Sequence, residues 1–279
     1  MSDKREERWA EEQRFFDRQA SRVQVEPIDP LVLKRYTQSP LRRRFRTEFR
    51  LRMMGDLKGK RVLDVGCNDG SNSVLFGLMG ARVTGVDISQ GSIDVARKRA
   101  EVNGVAHTVD FICSPVEVLD LPENTFDFIY VHMLLHHVIA DLDPVMNHLV
   151  RWAKPDALLL LEEPVNLVAA LRRLRMSLAG LVPVSGTPDE RPLEKPEITI
   201  LSRHFADTQI RFYRFLTRLP RLLGTSVQYE HLSPLGRQFH NLLALVDYWL
   251  LSLPGVQLLG SEAVMLGRPQ KHGVATSPA

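Results

Sequence analysis

The sequence predicts an α/β fold built on a mostly parallel sheet with helices on both faces. Short apolar, β-branched runs alternate with helical stretches through the middle of the chain, the mark of consecutive βαβ units. One run, Leu158–Leu161, is apolar at successive positions, as a strand covered on both faces requires. The first run ends in a Gly/Asn/Asp cluster immediately before a helical stretch.

The elements follow in order. Residues 1–57 are charged and helical, with Trp9, Phe15, Phe16 and Ala20 as an apolar stripe broken later by Pro27, Pro30 and Pro40, and they are expected to form a lid. Residues 58–164 form the core. There the predicted strands are 61–65, 82–87, 108–113, 126–132 and 157–162, and the predicted helices 71–79, 92–103 and 144–153. Residues 165–267 complete the sheet, with a helix over 198–205, strands over 208–212 and 262–267, and helical cap insertions. Within them, 236–253 is apolar nearly all round, with Arg237 and Asp247 its only formal charges, and reads as a buried cap helix. The Gly/Pro/Ser-rich stretch 268–279 is expected to be a flexible tail.

Composition narrows the function. Of 279 residues, 44% are hydrophobic and 25% charged, which excludes disordered and low-complexity classes. The formal charge of +3 is too small for a dedicated nucleic-acid binder. Cys67 and Cys113 are too few for a disulfide framework, so the default compartment is a reducing cytoplasm. The charged N-terminus lacks the apolar stretch of a signal peptide, and nowhere do about 18 apolar residues run uninterrupted.

The motif that carries most information is Val62-Leu-Asp-Val-Gly-Cys-Asn-Asp-Gly-Ser-Asn-Ser73. Gly66 and Gly70 permit a tight turn in which backbone amides approach a ligand that a Cβ would obstruct. Asp87 ends the second strand, where a carboxylate can accept hydrogen bonds from both hydroxyls of a ribose. A nicotinamide-dependent oxidoreductase would use the same logic, but Asn68 and Ser71 stand where its fingerprint needs glycine. Asp64, an acid inside the first strand, suits a ligand with an ammonium group and repels a pyrophosphate. The remaining alternative is a non-catalytic, cofactor-binding scaffold.

These residues resemble the class I, Rossmann-like S-adenosylmethionine-dependent methyltransferases, most closely the small-molecule and ubiquinone/menaquinone-biosynthesis type. The likeness covers about Lys60 to Pro164, with weaker traces at Phe15-Phe-Asp17 and Thr187-Pro-Asp-Glu190. The resemblance implies S-adenosyl-L-methionine as cofactor, with Asp64, Gly66, Cys67, Asn68 and Gly70 at its methionine end and Asp87 on the ribose. It implies Ile88 beside the adenine and Ser114, Pro115 and Val116, following Cys113, along the adenine edge. The chain departs from the family at Asn68, where a glycine is frequent, and at Pro115, where an acid is frequent. Asn tolerates left-handed backbone angles better than most residues. In the family's strand order another strand separates the two cysteines by roughly 10 Å, too far for a disulfide.

Candidate catalytic groups follow the fourth strand in His132-Met-Leu-Leu-His136-His137. His132 ends the strand near the methionine portion or the acceptor. His136 and His137 have the side chain suited to base work near neutrality, and as neighbours they are expected to point apart, with one facing the pocket. A structural role for the pair is the other reading. No Cys, Asp or Glu completes the histidines at ligand spacing, so no metal site is expected. Glu162 and Glu163 fall on the binding rim, either orienting an acceptor or acting as cap or surface charge. Tyr36 reads as packing.

The expected reaction is methyl transfer to oxygen, less favourably to nitrogen or carbon, of an apolar small molecule such as a polyketide, lipid or quinone-type secondary metabolite. The basic clusters at 42–46 and 172–175 are either solvated helix faces or a peripheral contact with anionic lipid. No RNA-binding module is present in the pattern.

Overall fold

A computed structural model describes residues 2–30, 46–169, 173, 190–218 and 232–271. Tyr36, Arg42, Arg43, Arg44, Arg172, Arg175 and residues 184–189, with the start of the Thr187-Pro-Asp-Glu190 trace, lie outside the described residues.

Among the described residues, helices α1 (Ser2–Ala20) and α2 (Arg46–Met54) precede the core. The core runs β1 (Arg61–Val65), α3 (Ser71–Leu78), β2 (Arg82–Asp87), α4 (Gln90–Val102), β3 (Val109–Cys113), β4 (Phe126–His132), α5 (Leu142–Trp152) and β5 (Ala153–Pro164). It continues with α6 (Lys195–Ser202), β6 (Phe205–Tyr213), α7 (Pro234–Leu250) and β7 (Glu262–Pro269). The strands form one sheet in the order β3-β2-β1-β4-β5-β7-β6. All run parallel except β7, which pairs antiparallel with both β5 and β6. The strand order reverses between β1 and β4, where open α/β sheets leave a crevice beyond the strand ends.

Alternate residues of each strand feed opposite layers. Leu63, Ile129, Leu159 and Leu161 meet Met146, Leu149 and Trp152 of α5 on one face. Val62, Phe128, Tyr130 and Leu160 share the other layer with Phe76 of α3, Ile93 and Ala96 of α4, and Leu51 of α2. Helix α4 begins two residues earlier than expected because Ser89 caps it, its Oγ accepting from Ser92 N at 3.0 Å.

Two expectations fail here. The helix expected to be buried, α7, exposes Leu235, Phe239, Leu242, Val246 and Trp249, and among its residues only Ala244 and Asp247 are fully buried. It is anchored through polar groups: Asp247 accepts from Phe215 N, Leu216 N and Thr217 N. The tail expected to be flexible from residue 268 is ordered through Lys271. Arg268 pairs with Asp207 at 2.9 Å, and Lys271 Nζ donates to Val150 O at 2.7 Å.

Candidate active site

The turn after β1 is shaped by its own amides. Gly66 lies at φ +75°, and Gly66 N and Cys67 N both donate to Val86 O, at 2.8 and 3.0 Å. A Cβ on Gly66 would sit 3.1 Å from the Leu134 Cβ, so no side chain is accommodated without movement. Asn68 adopts φ +47°, as its residue type permits, and its amide donates to Asp87 Oδ2 at 2.9 Å. Asp87 Oδ1 accepts from Ser89 N at 2.9 Å. Burial pushes the Asp87 carboxyl up, and these two amides pull it back.

A cavity of about 280 Å³ opens beyond these strand ends. From β1 and β2 it is lined by Gly66, Asn68, Asp87 and Ile88, and from the loop after β3 by Ser114, Pro115 and Val116. His132 lines it from the end of β4, and His136 and His137 from the turn that follows. Asp64, Cys67 and Gly70 do not line it. Asp64 is fully buried, with Oδ2 accepting from Ser73 Oγ at 2.5 Å and Oδ1 left without a hydrogen-bond partner. Burial pushes its carboxyl up to about 6. Cys67 packs in the core, where burial raises its thiol. Gly70 is a packing position: at φ +73°, a Cβ there would lie 2.7 Å from the Ala96 Cβ.

Sequence reasoning expected an N-terminal lid but named none of its residues as part of the site. Glu12, Phe15, Phe16 and Gln19 line the cavity. The helix is tied down by Asp17, which accepts from Ser89 Oγ at 2.6 Å and Gly91 N at 2.9 Å. Trp9 Nε1 donates to Glu117 at 3.0 Å, Arg8 also pairs with Glu117, and Arg5 pairs with Asp141 at 2.6 Å. The available signal was Phe15-Phe-Asp17 beside the charged, amphipathic stretch before it.

The histidines depart from expectation. Both His136 and His137 face the cavity, their ring centroids 4.3 Å apart, because they sit in a turn and Met133 before it takes φ +56°. His136 Nδ1 lies 2.8 Å from Glu163 Oε2, and Nε2 lies 2.9 Å from Glu190 Oε1. Burial opposes charge on His136, but the two carboxylates raise its pKa to about 9. With both nitrogens engaged, His136 has no lone pair for taking a substrate proton. Glu190 also stands 3.7 Å from His137 Nε2, so a carboxylate does complete the pair, contrary to the sequence expectation. It comes from fifty-three positions further along the chain, where no local spacing registers it.

Neither glutamate near the end of β5, Glu162 or Glu163, is a rim group. Glu163 is buried and accepts from Leu134 N at 2.9 Å and Leu135 N at 2.7 Å, fixing the turn that carries His136. Glu162 is fully buried and pairs with Arg46 at 2.8 Å and Arg50 at 3.1 Å. Tyr130 OH donates to it at 3.2 Å, and His132 Nε2 lies 3.4 Å away. Burial opposes its charge, yet Arg46 and Arg50 hold the carboxyl well below its usual range. Glu262 extends the cluster by pairing with Arg46 and Arg214.

Residues 63–161 match the family model described as a methyltransferase domain. This core is a class I methyltransferase domain. Curated relatives of the domain include ubiquinone biosynthesis O-methyltransferases. That of Coxiella burnetii is 44% identical over 82 residues, 29% of this chain and 34% of the relative. That of Bradyrhizobium diazoefficiens is 31% identical over 145 residues, 52% of this chain and 54% of the relative. The chain therefore spans between 34% and 54% of these two relatives. Among solved structures, a SAM dependent methyltransferase from Archaeoglobus fulgidus superposes with a TM-score of 0.53 at 16% identity, covering 86% of this chain and 98% of that one. The [4+2]-cyclase SpnF gives 0.51 at 21% identity, covering 81% of this chain and 83% of that one. At these identities the methyltransferase domain shares the fold with both.

Proposed function

We propose that the chain is an S-adenosylmethionine-dependent methyltransferase that acts on an oxygen of an apolar small molecule, of lipid, polyketide or quinone type. The observation that carries this reading is Asp87: a carboxylate on the cavity wall at the end of β2, its oxygens aligned by the Asn68 and Ser89 amides. Each oxygen accepts one amide and keeps a lone pair for a ribose hydroxyl. Ile88, Pro115 and Val116 offer apolar contact to a purine. Asp64 Oδ1, buried with no hydrogen-bond partner, is the acceptor that an ammonium would complement.

The bound sulfonium supplies an electrophilic methyl group. The chain's own work is then alignment of the acceptor, which can be worth several kcal/mol. His132, on the cavity and backed by Glu162, takes the proton-holding role that the sequence reading gave to His136 or His137. Curated O-methyltransferase relatives support oxygen as the methylated atom. Phe15, Phe16 and Leu134 on the cavity wall support an apolar acceptor, and the exposed apolar residues of α7 support peripheral contact with a membrane surface. No described helix is long and apolar enough to cross a membrane. Two free cysteines fit a cytoplasmic setting.

Purified protein incubated with methyl-labelled S-adenosylmethionine and a series of phenolic acceptors should release S-adenosylhomocysteine and give a product heavier by one methylene. No labelled product from these acceptors or from a host extract would refute the reaction. Asp87→Asn should weaken S-adenosylhomocysteine binding about ten- to a hundredfold in calorimetry, as loss of two charge-assisted hydrogen bonds implies.

A further inference from the structure

One ligand atom from each of His136, His137 and Glu190 lies within 4.8 Å of the other two. Nε2 of His136 is 2.9 Å and Nε2 of His137 is 3.7 Å from Glu190 Oε1. Behind each ring stands a further carboxylate: Glu163 Oε2 at 2.8 Å from His136 Nδ1, and Glu12 Oε1 at 3.6 Å from His137 Nδ1. Glu163 is itself fixed by the Leu134 and Leu135 amides. Metal-binding histidines generally give their second ring nitrogen to such a carboxylate, which sets the tautomer and aims the other lone pair at the ion. Two imidazoles and one carboxylate form a donor set suited to Zn²⁺. All three side chains line the cavity. Coordination positions left open by the protein therefore face it, as at a catalytic rather than a closed structural site.

We propose that His136, His137 and Glu190 bind a divalent transition-metal ion, with Zn²⁺ the preferred occupant, that the ion displaces the proton between His136 Nε2 and Glu190, and that Glu163 orients His136 toward it. The part this ion plays rests on the methyl-transfer reading: an acceptor hydroxyl bound at an open position is acidified, gives its proton to His132 and is held beside the cofactor site.

The test uses full-length protein stripped with a chelator. Titration with Co²⁺, followed by visible absorption, should show one ion per chain with the d–d bands of a low-coordinate site. Calorimetry with Zn²⁺ should give the same stoichiometry. His137→Ala and Glu190→Gln should each weaken binding by about tenfold or more, and Glu163→Gln by about ten- to a hundredfold. Circular dichroism of each variant confirms that it is folded. Absence of a stoichiometric ion in the wild type overturns the site, as does equal affinity in His137→Ala and Glu190→Gln. Either result leaves the cluster as an imidazolium between carboxylates. S-adenosylhomocysteine titrated into metal-free wild type reads the methyl-transfer proposal separately. Heat there without metal binding removes only the ion, whereas metal binding without that heat removes only the methyl transfer.

Discussion

At the scale of single residues, backbone geometry decides which positions tolerate change. Gly70 combines φ +73° with an Ala96 Cβ only 2.7 Å from where its own Cβ would sit. Gly70→Ala should therefore cost about 3 kcal/mol in chemical denaturation, left-handed strain adding to overpacking. Gly66 and Asp87 were legible in the sequence because turn chemistry and strand ends are local properties. The facing of His136 and His137 was not, since it depends on the left-handed Met133 that redirects the chain after β4. Glu190 was legible only as the end of the weak Thr187-Pro-Asp-Glu190 trace, and Glu12 not at all, because both reach the cavity from distant segments that only packing brings there.

At the scale of elements, α1 is both wall and clamp. Asp17 caps the start of α4 from another helix, and the apolar side of α1 closes the cavity with Phe15 and Phe16. Asp17→Ala should lower stability by about 1 kcal/mol, the usual loss for a helix cap, and should also weaken S-adenosylhomocysteine binding, both measurable in one calorimetric series. Alternation of β-branched runs and helices made the core elements readable to within a few residues. Helix α7 was misjudged because its apolar residues are on a stripe exposed to solvent, while its buried face is carried by Asp247 and a neighbouring Arg211–Tyr248 contact, the guanidinium 3.8 Å from the ring centre. Composition shows how apolar a helix is, not which side meets the protein.

At the scale of the whole molecule, the buried charges join parts of the chain that are far apart. Glu162 and Glu262 link α2, the end of β5, the start of β7 and Arg214 after β6. Glu162→Gln leaves buried arginines without their anion and should cost about 3–5 kcal/mol. Because the folded-state carboxyl is depressed, its contribution is fully present above the unfolded value near the ordinary glutamate range. It is lost as pH falls from there through the folded value. The wild type should accordingly lose stability over that acid window, and Glu162→Gln should show a flatter pH dependence in denaturant titrations. A fold shared with a cyclase as well as methyltransferases leaves the chemistry to the site, so the cofactor is the point on which the account stands or falls. Isothermal titration with S-adenosylhomocysteine, run beside NAD, addresses it most directly. Saturable heat at one site per chain is expected for S-adenosylhomocysteine and none for NAD. Equal binding of both, or heat only with NAD, would contradict it.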